Sequence, residues 1–268
     1  IIDIGSNDGT LLKSFKNKGF NVIGIEPAQE IAKIANNNGI KTYPNFFTSN
    51  LAKQIVKENG YASVITVNNL FANVEDLNYF ISNIDILLNK NGILIIESSY
   101  LLYMIENLVF DFIYHEHISY ISVKPLNKWL KTKGFRINKI QKVPTKGGSL
   151  RYYISRCESN LEIDETVKIF ESNEPSGQSL DQLFYQFSQK ILEQKNRLKS
   201  ELQKYKGKVV VGYGASATST TLITHFEIGE NLDFLVDDNP IKIGTYSPGI
   251  HLPVLSLDQL YNKKPDLI

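Results

Sequence analysis

The sequence predicts an α/β protein with two Rossmann-like units, a large one first and a smaller one last. Three observations lead there. Strand-forming and helix-forming stretches alternate from residue 1 to about residue 156, the rhythm of a doubly wound sheet. A glycine turn follows the first strand, and an acid, Glu26, follows the second about twenty residues further on. The same pairing returns near the end, where Val211-Gly212-Tyr213-Gly214-Ala215 precedes Asp237-Asp238. A polar stretch and one long amphipathic helix lie between. The expected boundaries are therefore 1–156, a helical linker over 157–206, and 207–268.

Each element has its own justification. Ile1–Ile4 is apolar and ends in a turn, Gly5-Ser6-Asn7-Asp8-Gly9, with Asn7, Asp8 and Thr10 available to cap the next helix. Asn21–Pro27 reads as the second strand. A helix over 28–37, a short strand over 40–43 and a helix from about Ser49 continue the alternation. Strand 62–67 runs into Asn68-Asn69-Leu70-Phe71-Ala72-Asn73, and the carboxyl end of such a strand borders the ligand crevice of an open sheet. Helix 74–88, a turn at 89–92 and strand 93–97 complete the main sheet. Helix 124–133, ended by Gly134, and strands 135–143 and 149–156 close the first domain. In the linker, a short helix over 164–171 precedes the break Glu174-Pro175-Ser176-Gly177. Leu180, Phe184, Phe187, Ile191, Leu198 and Leu202 then repeat at three and four residues over 179–205, the stripe of a helix packed along a domain. Strand 208–213, a helix to about His225 and strand 232–236 form the second βα unit, and Pro265–Ile268 reads as the start of another strand.

Composition narrows the function classes. The net charge is +1, which gives no electrostatic case for nucleic acid or an anionic membrane. No apolar run reaches ~18 residues, so no spanning helix is expected. Cys157 is the single cysteine, which excludes an internal disulfide and a cysteine-rich zinc site in this stretch and suits an inert thiol in a cytoplasmic protein. The chain opens without Met in mid-strand, so it is expected to be part of a longer protein.

The densest chemistry lies in Asp111-Phe112-Ile113-Tyr114-His115-Glu116-His117-Ile118-Ser119-Tyr120. Tyr, His and Glu are side chains that move protons near neutrality when their environment tunes them. This segment is expected to cross the mouth of the site. A His-x-His pair alone does not make a metal site, because no third ligand is placed by the sequence, and no metal is expected. The first glycine turn lacks the dinucleotide G-x-G-x-x-G pattern. Asp3-Ile4-Gly5 followed by Gly9 instead resembles the first motif of class I S-adenosylmethionine methyltransferases. On that resemblance Asp3, Gly5, Asn7, Asp8, Gly9, Glu26, Phe47 and Asn68 form the donor set, with Glu26 on the ribose and Asp3 and Asp8 toward the amino-acid end. Phe46 or Phe47 is available to stack on adenine, although paired phenylalanines more often pack in a core.

Ile4-Gly5-Ser6-Asn7-Asp8-Gly9-Thr10-Leu11-Leu12, Tyr114-His115-Glu116-His117-Ile118-Ser119-Tyr120, Gly147-Gly148-Ser149-Leu150-Arg151 and the two motifs near residues 211 and 236 occur in an order that resembles the sugar C-methyltransferases of nucleotide-linked deoxysugars. The resemblance spans nearly the whole chain. It implies methylation of a carbon α to the keto group of a nucleoside-diphosphate 4-keto sugar through an enolate, with S-adenosyl-L-methionine as donor and S-adenosyl-L-homocysteine as product. It makes His117 the leading general base, with Tyr114 and Glu116 beside it, and places the sugar nucleotide near Asn73, Tyr120, Ser149, Arg151, Gly214, Ser216 and Lys242. Two departures stand out. A four-cysteine zinc module that the family carries before the first strand is not in this chain, and Asn73 stands where the family tends to have a histidine. The competing readings are a nicotinamide-dependent oxidoreductase or epimerase using the second glycine turn, and a non-catalytic nucleotide-sugar binder. Neither the oligomeric state nor the identity of the sugar is legible in the sequence.

Overall fold

The computed structural model describes residues 1–268, which fold as two compact units: 1–104 with 118–175, and 105–117 with 176–268. The donor unit, as we call the first, holds a seven-stranded sheet. In chain order its elements are β1 (Ile2–Ile4), α1 (Thr10–Lys16), β2 (Ile23–Ile25), α2 (Gln29–Asn37), β3 (Thr42–Tyr43), α3 (Ser49–Asn59), β4 (Ala62–Asn68), α4 (Leu77–Leu87) and β5 (Leu88–Ser99). They are followed by α5 (Leu101–Glu106), α6 (Val123–Thr132), β6 (Phe135–Val143), β7 (Ser149–Arg156) and α7 (Glu165–Asn173). The strand order is β3-β2-β1-β4-β5-β7-β6. All pairs are parallel except those of β7, which runs antiparallel to both β5 and β6.

Burial explains why these residues form this sheet. β1 is buried along its whole length, as a strand covered on both faces must be, and Ile2, Ile4, Ile65, Val67, Leu94 and Ile96 fill the sheet's core with Ile25. The helices lay apolar stripes on it, with Leu51, Ala52 and Ile55 from α3 and Phe80, Ile81, Ile84 and Leu87 from α4. Thr48 and Asp76 start these two helices by accepting the amides of Leu51 and Tyr79. Gly24 is needed where β2 crosses the first turn, since a Cβ there would lie 2.4 Å from Ser6 Oγ and 2.6 Å from Thr42 Oγ1.

The second unit contains α8 (Gln178–Gln203), β8 (Val211–Tyr213), α9 (Ala217–Phe226), β9 (Phe234–Val236), β10 (Val254–Leu255) and α10 (Asp258–Lys263). Its three strands are parallel in the order β10-β9-β8, and a bridge from Val210 to Leu267 adds the last residues to the edge. Its core joins Ile191 and Leu202 of α8 to Ile223, Phe226, Leu235 and Val254. Phe110, from the 105–117 excursion, stacks on Phe226 at 4.9 Å between ring centres.

Three expectations need revision. The expected turn at 89–92 lies inside β5, which begins at Leu88 because its first residues pair with Ala62 across a bulge. Residues 157–206 do not form a separate linker. Val167 of α7 enters the donor unit's core, whereas α8 belongs to the second unit. The 105–117 segment, expected in the first domain, packs with the second. Its Phe110 anchor outweighs sequence proximity.

Candidate functional site

The first turn is folded onto β2. Gly5 and Ser6 amides both donate to the Ile25 carbonyl, at 2.8 and 3.2 Å, and Gly5, Asn7 and Gly9 adopt positive φ. This carries Asn7 to the end of β2, where its amide donates to Glu26 Oε2 at 3.0 Å while Ala28 donates to Oε1 at 2.9 Å. Two amides thus fix the Glu26 carboxylate, and each oxygen keeps a second lone pair for a ligand hydroxyl. Asp3 is 4% exposed and accepts the Thr66 hydroxyl at 2.5 Å. Burial pushes its carboxyl up to about 7, against weaker downward pulls from Thr66 and Asn68. Asp8 accepts the Thr10 amide at 3.0 Å, and hydrogen bonds from Thr10 hold its carboxyl below the usual range.

The Asp8 and Glu26 carboxylates and the buried Asp3 carboxyl therefore flank the turn. A pyrophosphate would be repelled there, and Asp8 already occupies the helix start that a phosphate would use. A ligand with an ammonium group and a ribose diol would donate to these acceptors, so Asp3, Gly5, Asn7, Asp8, Gly9, Glu26 and Asn68 could hold S-adenosylmethionine. Phe47 is partly buried. Its ring packs edge-on against Phe80 at 5.5 Å, and Phe46 is the exposed one of the pair.

At the end of β4, the 3₁₀ turn Phe71–Asn73 buries the Oδ1 of Asn73 with no internal partner, an acceptor held out of water. The amides of Ile118 and Ser119 both donate to the Ala72 carbonyl beside it, at 2.8 and 3.0 Å. Tyr120 follows these on the return stretch. Two residues expected near the substrate are committed elsewhere. Ser149 is completely buried and donates to the Thr145 carbonyl, and Arg151 forms a two-pronged pair with the buried Glu97 across β5 and β7, at 2.6 and 3.0 Å. A turn carbonyl took Ser149 and a cross-strand carboxylate took Arg151, and Glu97 gave no sequence signal of it.

The second unit brings Tyr114 and His117 together. His117 Nδ1 lies 3.1 Å from the Phe112 carbonyl and Nε2 lies 3.3 Å from the Tyr114 hydroxyl. A carbonyl only accepts, so Nδ1 carries the hydrogen and the Nε2 lone pair faces the phenol. Burial, helped by the charge of Glu116, holds the Tyr114 phenol above its ordinary value. Glu116 itself is exposed and makes no hydrogen bond, so it acts on Tyr114 only through its field. Tyr114 and His115 line a cavity of about 620 Å³ with Ser216, Thr220, His225 and Pro248.

That cavity opens on the second glycine turn. Gly214 donates to the Val236 carbonyl, Ala215 to Asp237 and Ser216 to Ser219 Oγ, so these amides are taken, and those of Ala217 and Thr218 begin α9. Lys242 pairs with Asp237 at 3.1 Å. The acid that would hold a nicotinamide ribose in the competing reading is thereby bound to the turn, and amides Asn239 and Ala215 keep it below the usual range. No group of three or more metal-ligating side chains occurs. No helix is long and apolar enough to cross a membrane.

Several known proteins are similar to this chain. A 2.11 Å crystal structure of an S-adenosylmethionine-dependent methyltransferase from Anabaena variabilis shares 18% identity, covers 58% of this chain and 76% of its own, and has a TM-score of 0.43. Magnesium protoporphyrin IX methyltransferase from Synechocystis, solved with bound S-adenosylmethionine, gives 15%, 58%, 68% and 0.43. The curated relative C-methyltransferase NovU of Streptomyces niveus is 27% identical over 274 residues, covering 99% of this chain. The chain spans 64% of that relative's length. Residues 144–268 match the C-methyltransferase C-terminal domain, and residues 1–140 match the methyltransferase domain. By its first 140 residues, more than half its length, the chain belongs to the methyltransferase-domain family.

Proposed function

We propose that the chain is the catalytic part of a C-methyltransferase that moves a methyl group from S-adenosylmethionine to a carbon α to the ketone of a nucleotide-linked 4-keto-deoxysugar. The observation that carries the reading is the Tyr114–His117 pair, fixed in one tautomer, with its phenol lining the cavity at the second glycine turn. Its likeness to a C-methyltransferase over 99% of its length supports the reaction class, and the motif order supports the sugar.

Bound at Asp3, Asp8, Glu26 and Asn68, the donor supplies an electrophilic methyl group on a sulfonium. The protein's own residues prepare the acceptor carbon. The neutral imidazole of His117 takes the α proton on Nε2, and its Nδ1 hydrogen bond to Phe112 stabilises the imidazolium that forms. The Tyr114 phenol, kept protonated by burial, donates to the developing enolate oxygen. Ser216, Lys242 and the first amides of α9 hold the nucleotide part.

The test is incubation of the chain with S-adenosylmethionine and dTDP-4-keto-6-deoxyglucose, followed by mass spectrometry of the sugar nucleotide. The expected result is a donor-dependent gain of one methyl group on carbon. Methyl transfer to oxygen, or no transfer together with no exchange of the α proton, would reject the reading.

A further inference from the structure

One carboxylate of the donor unit joins three stretches of chain that are remote in sequence. Glu174 is 5% exposed. Its Oε1 accepts the Tyr100 hydroxyl at 2.9 Å and the Val123 amide at 2.5 Å, its Oε2 accepts the Lys124 amide at 2.7 Å, and its carbonyl accepts Lys124 Nζ at 2.5 Å. Val123 and Lys124 open α6, whose preceding Ser122 makes no side-chain cap. Glu174 therefore caps that helix from a distance, with a negative charge at its positive end.

The three stretches share a position in the topology. Tyr100 precedes the point after Met104 where the chain leaves the donor unit, Ile118–Lys124 is where it returns, and Glu174-Pro175 is where it leaves for the last time. Tyr100 and Ile121 are bridged, and Leu101 donates to the Ile121 carbonyl at 2.9 Å, so both roots of the 105–117 excursion lie side by side. That excursion carries Tyr114 and His117. The Tyr152 hydroxyl is buried without an internal partner, and burial, aided by the charge of Glu174, holds both it and Tyr100 above the ordinary phenol value. A helix cap requires one acceptor from a neighbouring residue. A buried carboxylate gathering all three crossings does more.

We propose that Glu174 is a positioning residue for the Tyr114–His117 pair: its carboxylate locks the two roots of the 105–117 excursion in one register. Without the full carboxylate, the Tyr100 hydroxyl and two amides compete for one acceptor, and the roots slide. This inference rests on the reaction proposed above.

The experiment compares Glu174→Gln and Tyr100→Phe in the whole chain. Tyr100→Phe removes one hydroxyl and tests the idea where the carboxamide variant fails to fold. Three quantities are read: backbone hydrogen exchange of residues 117–124, S-adenosylhomocysteine affinity by calorimetry, and deuterium wash-in from heavy water into dTDP-4-keto-6-deoxyglucose with S-adenosylhomocysteine bound. The expected result is root amides exchanging about tenfold faster and the kcat of wash-in falling about tenfold or more at nearly constant KM, with donor affinity within about twofold of the parent chain. Tyr100→Phe should move the same way by a smaller factor. If the root amides open while wash-in keeps its rate, Glu174 is a helix cap alone and the proposal is overturned. An equal loss of donor affinity overturns it as well, because the carboxylate then supports the fold as a whole. A parent chain that shows no wash-in defeats the proposed reaction, and this inference with it.

Discussion

Glu26 and Asp3 show how two carboxyl groups near one turn take different roles. Glu26 is held by two amides at the end of β2, so its truncation removes a prepared acceptor pair. Glu26→Ala should weaken S-adenosylmethionine binding by ~1.5–3 kcal/mol, the scale of a charge-assisted hydrogen bond, and calorimetry that finds an unchanged dissociation constant removes Glu26 from the site. Asp3 is buried, and its folded value rises from 3.8 to about 7. Between those values the folded chain holds a proton that the unfolded chain has released, so the stability Asp3 contributes is present below 3.8 and is lost as pH rises through about 7. Thermal melts should show the parent chain losing stability against Asp3→Asn across that window and running parallel to it above. Parallel curves throughout would mean that Asp3 ionises freely. At the other centre, His117→Asn should cut deuterium wash-in by ~10²-fold or more while sparing donor binding, and the parent rate should rise with pH as the imidazole loses its proton. His115→Asn should do much less. If Tyr114→Phe alone abolishes exchange, the phenol is the base. Gly5-Ser6-Asn7-Asp8-Gly9 and Tyr114–His117 stand out in the sequence because they concentrate unusual chemistry in a few positions. For Ser149 and Arg151 the short motif did not reveal the surroundings, a turn carbonyl at Thr145 and a cross-strand carboxylate at Glu97.

Among the elements, the central strands were readable almost to the residue. β6 and β7 span the stretches that apolar patterning marks, and α3 starts where Thr48 offers a cap. The start of β5 was missed because Asn89–Gly92 has turn composition, and only pairing with Ala62 makes it strand. The packing of β2 yields a prediction of the same kind. Gly24 is the point where Ser6 and Thr42 fill the space of a side chain. Gly24→Ala should cost about 1–3 kcal/mol of stability, as overpacking does, and should loosen the first turn along with it. A denaturation midpoint equal to the parent's would show that Ser6 and Thr42 can give way.

For the whole molecule, the division into units sets where the chain can be cut. Val167 and Glu174 belong to the donor unit's core, so a chain ending at Pro175 should still bind S-adenosylhomocysteine in calorimetry. A chain ending at Arg156 should not, and equal affinity in the two would show that α7 is dispensable. By itself the sequence determined the α/β class, the two glycine turns with their acids and the order of the strands' helices, since all of these follow from local periodicity and from backbone angles that few residues tolerate. The tertiary structure alone decided which polar groups pair, with Glu97 on Arg151 and Glu174 on Tyr100 and α6. It also decided that the 105–117 excursion packs with residues far downstream. The physical reason is the same in each case: a buried polar group must find a partner and a buried ring must find a surface, and the nearest ones in space lie dozens of residues away in sequence.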